Sequence, residues 1–252
     1  MKRRSFGILA LAGAVAPILP ARAADKAVSV VLVHGAFVDA SGWRAVYDIL
    51  TKDGYEVLVV QNPTITLKDD VAVTQRAIAK AKHPVILVGH SYGGSVITEA
   101  GNDPKVRSLV YLAAFAPDVG ESVAKLAENP VPGEPQAPLL PPEDGFLIVD
   151  PAKFPTAFAA DVDASTTAFM ATAQVPWGLN AVGGVITQAA WKSKPSHFII
   201  ATEDHMVPPT AQRAMARRAG GRTQELRSSH AVMMSHPDQV AAFIEAAGEA
   251  TR

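Results

Sequence analysis

The 252-residue chain has no cysteine. That absence excludes a disulfide framework, a thiolate nucleophile, an iron–sulfur cluster and any cysteine-ligated zinc. Charge of one sign is also lacking. With 23 Lys and Arg against 24 Asp and Glu, the net charge is −1, so there is no basic footprint for nucleic acid. A hydrophobic content of 48% is too high for a disordered chain and implies a packed globular protein. The apolar run at residues 6–19 is interrupted by Pro17 and falls short of the roughly 20 residues of a membrane span.

That run is part of a different signal. Lys2, Arg3 and Arg4 precede it, and Ala21-Arg22-Ala23 closes it, the layout of a secretory leader cleaved before Ala24. Residues 1–23 are therefore expected to be a signal peptide, and the protein to be exported to the periplasm or beyond the bacterial cell. Arg3-Arg4-Ser5-Phe6 is similar to the twin-arginine export motif but lacks its usual flanks, which leaves the Tat and Sec routes both open. Cleavage would leave residues 24–252 and, with four basic residues removed, a net charge of −5. No integral membrane segment would remain.

Beyond the leader, short β-branched or apolar runs at residues 28–33, 56–60, 85–89, 106–112, 197–201 and 223–226 read as strands. Helical patterns at 43–52, 70–82, 92–101, 210–218 and 237–247 lie between or after them. Fully apolar strands such as Val85-Ile86-Leu87-Val88 belong in a parallel sheet covered on both faces. Alternation with helices gives an α/β fold, mostly parallel and doubly wound, built of right-handed βαβ units. Residues 24–252 are read as one domain.

Residues 117–190 interrupt the alternation, with no convincing strand run. Six prolines within residues 129–142 forbid regular structure there, while residues 154–173 carry helical potential and several large apolar side chains. The segment is expected to be an inserted cap over the C-terminal edge of the sheet, where α/β proteins place their ligands. Its nine acidic and two basic residues would repel polyanions.

Gly89-His90-Ser91-Tyr92-Gly93 is a G-x-S-x-G pentapeptide between an apolar strand and a helix, the setting of a nucleophile elbow. Ser91 is the expected nucleophile. A serine hydroxyl needs a base to take its proton, and seven histidines compete for that role. His34, His83, His90, His197 and His205 sit in the first-strand loop, at a helix–strand joint, on the elbow itself, in a strand and beside the candidate acids. Ser235-His236-Pro237 reads as a helix start with Ser235 as N-cap. His230 remains, in the loop between the last strand and the last helix, and the order Ser…acid…His is that of α/β-hydrolases. The acid should follow residues 197–201, which leaves Glu203 and Asp204, with Asp118 in reserve. Two N–H groups for a developing oxyanion are expected from Tyr92 and from Ala36, with Phe37 the alternative to Ala36.

Four motifs carry a resemblance over residues 28–246: Val31-Leu32-Val33-His34-Gly35-Ala36-Phe37 with Trp43, Gly89-His90-Ser91-Tyr92-Gly93-Gly94, Ala201-Thr202-Glu203-Asp204, and His230-Ala231-Val232-Met233-Met234-Ser235-His236-Pro237. In them the chain resembles the α/β-hydrolase superfamily. The likeness is to the branch of plant methyl esterases, hydroxynitrile lyases and bacterial pyrethroid-hydrolase-like carboxylesterases. The resemblance implies a Ser91–His230–Asp204 triad with no metal or organic cofactor. The lyases of that branch carry Thr at the position of Gly35 and Lys at that of Ala231, so it implies a serine carboxylesterase acting on small or aromatic uncharged esters. Hydroxynitrile lyase, perhydrolase or acyltransferase chemistry on the same triad, and a low-turnover ligand-binding protein, are the alternatives.

Overall fold

The computed structural model describes residues 26–128 and 132–249, and the expected leader lies outside them. Six strands form the central sheet: β1 (Ser29–Val33), β2 (Glu56–Val60), β3 (Val85–His90), β4 (Val106–Leu112), β7 (Ser196–Ala201) and β8 (Arg222–Leu226). Their order is β2-β1-β3-β4-β7-β8, and every neighbouring pair is parallel. Each lies within one or two residues of the run that marks it in the sequence.

The two faces of the sheet explain why its central strands show no polar alternation. Val31, Val33, Val85 and Leu87 point to one face and join Val71 and Ile78 of helix α2 (Leu67–Lys80) with Val96 and Ile97 of helix α3 (Gly93–Ala100). Val30, Leu32, Ile86 and Val88 point to the other, against Val46 and Leu50 of helix α1 (Arg44–Lys52) and Ile244 of helix α10 (Pro237–Glu249). Alternate residues of a strand face opposite sides, so helices on both faces leave β3 buried along its whole length. The edge strands β2 and β8 keep partly exposed side chains.

Helix boundaries differ from the periodic reading where a cap decides them. α2 begins at Leu67, three residues before the sequence reading starts it, because the Thr66 side chain accepts from the Asp69 N–H. Asp39 likewise caps a 3-10 turn, Ala40–Trp43, that leads into α1. Ser235 is not the N-cap of α10: it ends the short helix α9 (Val232–Ser235), and its hydroxyl bonds Ser228 Oγ and His236 Nδ1.

Between β4 and β7 the chain adds no strand to the central sheet. It holds helices α4 (Val123–Ala127), α5 (Phe154–Phe158), α6 (Ala164–Thr172) and α7 (Leu179–Val182). Two-residue strands β5 (Phe146–Leu147) and β6 (Trp177–Gly178), which the apolar pattern does not reveal, pair antiparallel. Helix α8 (Pro209–Arg218) follows β7 on the same side of the molecule as this insertion. Among the described residues no helix is long and apolar enough to cross a membrane.

Candidate active site

Ser91 lies in the turn from β3 to α3 with φ of +54°, a left-handed conformation that costs a non-glycine residue energy. The turn is held from three sides. Ser91 N–H donates to Leu112 O at 3.1 Å, and Ser91 O accepts from Gly94 N at 2.9 Å and Phe115 N at 3.1 Å. Glycine is required at the closest approach: a Cβ on Gly93 would sit 2.7 Å from the carbonyl oxygens of Val33 and His34. A Cβ on Gly35 would meet Ser91 Cβ at 2.6 Å, which brings the loop after β1 directly against the serine. This is the strand–turn–helix geometry of a nucleophile elbow.

His230 and Asp204 are brought together. His230 Nδ1 donates to Asp204 Oδ2 at 2.7 Å, and both side chains are buried. Asp204 is among the most completely hydrogen-bonded groups in the structure: Oδ1 accepts from Met206 N at 2.7 Å and Val207 N at 2.9 Å, and Oδ2 also accepts from Gln212 Nε2 at 2.8 Å. Four donors to one carboxylate hold its orientation and stabilise its charge. The Nδ1 bond leaves Nε2 as the free ring nitrogen of His230, and that atom is buried with no hydrogen-bond partner.

The rival acids face elsewhere. Glu203 pairs with the exposed Arg227 at 2.6 Å, and Asp118 pairs with Lys192. Among the other histidines, His34 Nδ1 bonds Gly35 O at 2.8 Å while Nε2 accepts from Asn62 N at 2.8 Å, a structural role in the loop after β1. Burial lowers its pKa. His90 is fully buried and its Nε2 donates to His230 O at 2.9 Å. Burial and the neighbouring His230, whose ring centroid is 4.6 Å away, push the His90 pKa well below that of a free imidazole. His236 is partly exposed and lies 3.8 Å from Asp161. His83 is partly buried, His197 is buried in β7, and His205 is exposed.

Ala36 and Phe37 follow β1 and border the same space as Ser91, and Tyr92 is the next residue in the turn. Neither the Ala36 nor the Tyr92 N–H donates to another backbone group among the described residues. Tyr92 is itself anchored: its hydroxyl donates to Asp70 Oδ2 at 2.6 Å, and Asp70 Oδ1 accepts from Thr64 N at 2.8 Å. Burial raises the Asp70 pKa to about 6, and burial with the adjacent carboxylate raises that of Tyr92. Neither Asp70 nor Gln212 was identifiable from the sequence, because each acts on a residue remote from its own motif.

A cavity of about 540 Å³ opens at Ser91. Its floor comes from Ala36, Phe37 and Phe115 at the strand ends, one wall from Met206, Val207 and the Thr210–Met215 face of α8. The insertion supplies the opposite wall, including Leu126, Leu139, Leu147 and Trp177. Arg218 is the only cationic side chain lining it among the described residues, and it is tied to Glu121 at 2.8 Å and to Ala116 O at 2.8 Å.

Comparison with known proteins agrees with this architecture. The chain is 28% identical over 245 residues to an alpha/beta hydrolase, nvfD, of Aspergillus novofumigatus, covering 88% of this chain and 97% of that one. It is 38% identical over 118 residues to a carbendazim hydrolyzing esterase of a Nocardioides species, covering 41% of this chain and 49% of the relative. Among solved structures, a pyrethroid hydrolase superposes with a TM-score of 0.75 at 22% identity, covering 89% of this chain and all of that one. A methylesterase from Arabidopsis superposes with a TM-score of 0.71 at 19% identity, covering 88% and 99% of the two chains. The alpha/beta hydrolase family matches residues 30–243, and the chain belongs to that family.

Proposed function

We propose that the protein is a serine carboxylesterase in which Ser91 is the nucleophile, His230 the general base and Asp204 the acid that orients it. The observation that carries this reading is the buried Asp204–His230 pair, which leaves His230 Nε2 without a partner beside a strained elbow. His230 Nε2 takes the Ser91 hydroxyl proton as Oγ attacks the ester carbonyl. The Ala36 and Tyr92 N–H groups receive the oxyanion. His230 then gives the proton to the departing alkoxide, which leaves as the alcohol. Water, deprotonated by the same nitrogen, attacks the acyl-enzyme, releases the acid and restores Ser91.

The insertion is read as the cap that selects substrate. Its apolar wall and the neutralisation of Arg218 by Glu121 favour small or aromatic uncharged esters. An esterase is favoured over a cyanide-releasing lyase because the residue directly after His230 is Ala231, not a lysine that could hold the departing cyanide. Residues 1–23 are read as the leader of an exported enzyme. Carbendazim belongs in the substrate panel, because one relative is named for hydrolysing it.

Incubation with a fluorophosphonate, followed by peptide mass spectrometry, tests the chemistry. A single adduct on Ser91 and loss of p-nitrophenyl acetate turnover are expected. A folded protein that stays unlabelled, or one that releases cyanide from mandelonitrile without cleaving esters, would defeat the reading.

A further inference from the structure

Asp204 fixes one nitrogen of the His230 ring, but the backbone that carries the ring is held from elsewhere. Both chain neighbours of His230 are tied to a single short stretch of the insertion. Ser229 N–H donates to Asp161 Oδ2 at 3.0 Å, and the Ser229 hydroxyl donates to Asp161 Oδ1. On the other side, Ala231 N–H donates to Phe158 O at 3.0 Å. The fully buried Phe158 ring then meets the His230 imidazole edge-on at 4.8 Å and stacks on Phe154 at 4.8 Å. His230 O accepts from His90 on the elbow, so residues 229, 230 and 231 each hold a tertiary hydrogen bond, two of them to the insertion.

We propose that Asp161 is a positioning residue for His230, acting through Ser229. Phe158 completes the latch, so the insertion, other parts of which wall the cavity, also sets where the base stands. A side chain pinned at Nδ1 alone can still carry Nε2 away from the serine when its backbone shifts. Displacements of about 1 Å at a catalytic group cost up to about 100-fold in rate. The groups that face Asp161 are the hydroxyls of Ser228, Ser229 and Ser235, and His236 at 3.8 Å. Burial acts to raise the Asp161 pKa, but the serine hydrogen bonds outweigh it and hold the carboxyl below its usual value. The latch is therefore ionised at neutral pH.

This inference rests on His230 being the base, so the test carries a control for that. Asp161→Ala, Asp161→Asn, Ser229→Ala, the Asp161→Ala/Ser229→Ala double variant and His230→Ala are made in the full chain and compared by thermal melting. Each is assayed for kcat and KM on p-nitrophenyl acetate. The His230 ring N–H resonance is followed in protein labelled with ¹⁵N-histidine. Asp161→Ala should lower kcat about tenfold with KM nearly unchanged. It should also shift or broaden the His230 resonance. Asp161→Asn, which still accepts from Ser229, should restore most of both. The double variant should be no slower than the slower single one, because both substitutions open one latch. If Asp161→Ala does not fold, Ser229→Ala, which removes only a hydroxyl, carries the same expectation. Wild-type kcat and an unmoved resonance in a folded latch variant overturn the inference, as does a fully multiplicative double variant. Full turnover in His230→Ala overturns the assigned base, and the latch with it. An inactive His230→Ala beside wild-type rates in the latch variants overturns the latch alone.

Discussion

Strand β3 is buried along its whole length and ends in a turn packed closely against the backbone of His34 and Phe115. The insertion across the cavity is built differently, from short helices, a pair of two-residue strands and a proline-rich stretch, and residues 117–190 carry nine acidic residues against two basic ones. The sheet side is over-determined. Ser91 cannot move without disturbing Leu112, Phe115 and the loop of His34. The insertion side contributes apolar surface, and its backbone ties run largely within the insertion, such as Leu140 N to Ile148 O and Asp150 N to Pro138 O. Rigid elements suit groups that must be placed within tenths of an ångström, and irregular segments suit surfaces that differ from one substrate to another. The latch at Asp161 is where the two sides meet, since it ties the irregular insertion to the loop that carries His230.

Perturbing each side should give a different kind of loss. Ser91→Ala is expected to have the largest effect, a fall in kcat of about 10³- to 10⁶-fold with the melting temperature little changed, since alanine keeps the same backbone conformation and adds no bulk. Activity within tenfold of wild type would remove the serine from the mechanism. Gly93→Ala should instead act on folding. The added methyl faces two backbone carbonyls at 2.7 Å, with no flexible atom to yield, and about 3 kcal/mol of stability should be lost in a denaturant titration. A smaller loss would mean that the elbow is softer than its hydrogen bonds suggest.

Asp70 offers a pH test of the rigid side. Its folded pKa of about 6 lies above the ordinary 3.8, so the folded state binds the proton more tightly than the unfolded chain. Its contribution to stability is fully present below pH 3.8 and is lost as pH rises through about 6, a change of about 3 kcal/mol. Asp70→Asn keeps the shape and removes the titration. Its melting temperature should fall less than that of the wild type between pH 4 and pH 7, and parallel curves would refute the assignment. The smallest effect is expected at the insertion. Trp177→Ala removes cavity wall and the ring contacts with Tyr92 at 5.2 Å and Phe37 at 5.6 Å. KM for an aromatic ester should rise about tenfold, equivalent to one lost apolar contact surface, with kcat little changed. A selective fall in kcat would mean that the ring supports the elbow rather than the substrate.

Much of the sheet side was legible in the sequence because its constraints are local. Apolar runs mark the buried strands of the central sheet, the β-branched Thr223 together with Leu226 is the weaker mark of edge strand β8, and the pentapeptide around Ser91 marks its own turn. His230 and Asp204 were legible as positions in loops after strands, but their hydrogen bond joins residues 26 apart. β5 and β6 were not legible, because two residues carry no period. Residues 154–173 read as one helical stretch and fold as two helices, divided where Asp161 turns toward Ser229. Ser235 had the composition of an N-cap, yet tertiary partners at Ser228 and His236 took its hydroxyl.

The sequence by itself determined the alternation of strands and helices, the elbow and the absence of thiol chemistry, since these follow from periodicity, glycine placement and residue type. Only the tertiary structure decided which acid meets which histidine, that Gln212 and two backbone N–H groups hold Asp204, and that Phe158 and Asp161 brace the loop of His230. Met206, Val207 and Gln212 lie only two, three and eight residues from Asp204, but the Asp204–His230 pair and the brace on the His230 loop are contacts between residues far apart in the chain. No local pattern encodes such a contact, because its partner is chosen by the packing of the sheet and the insertion around a shared cavity.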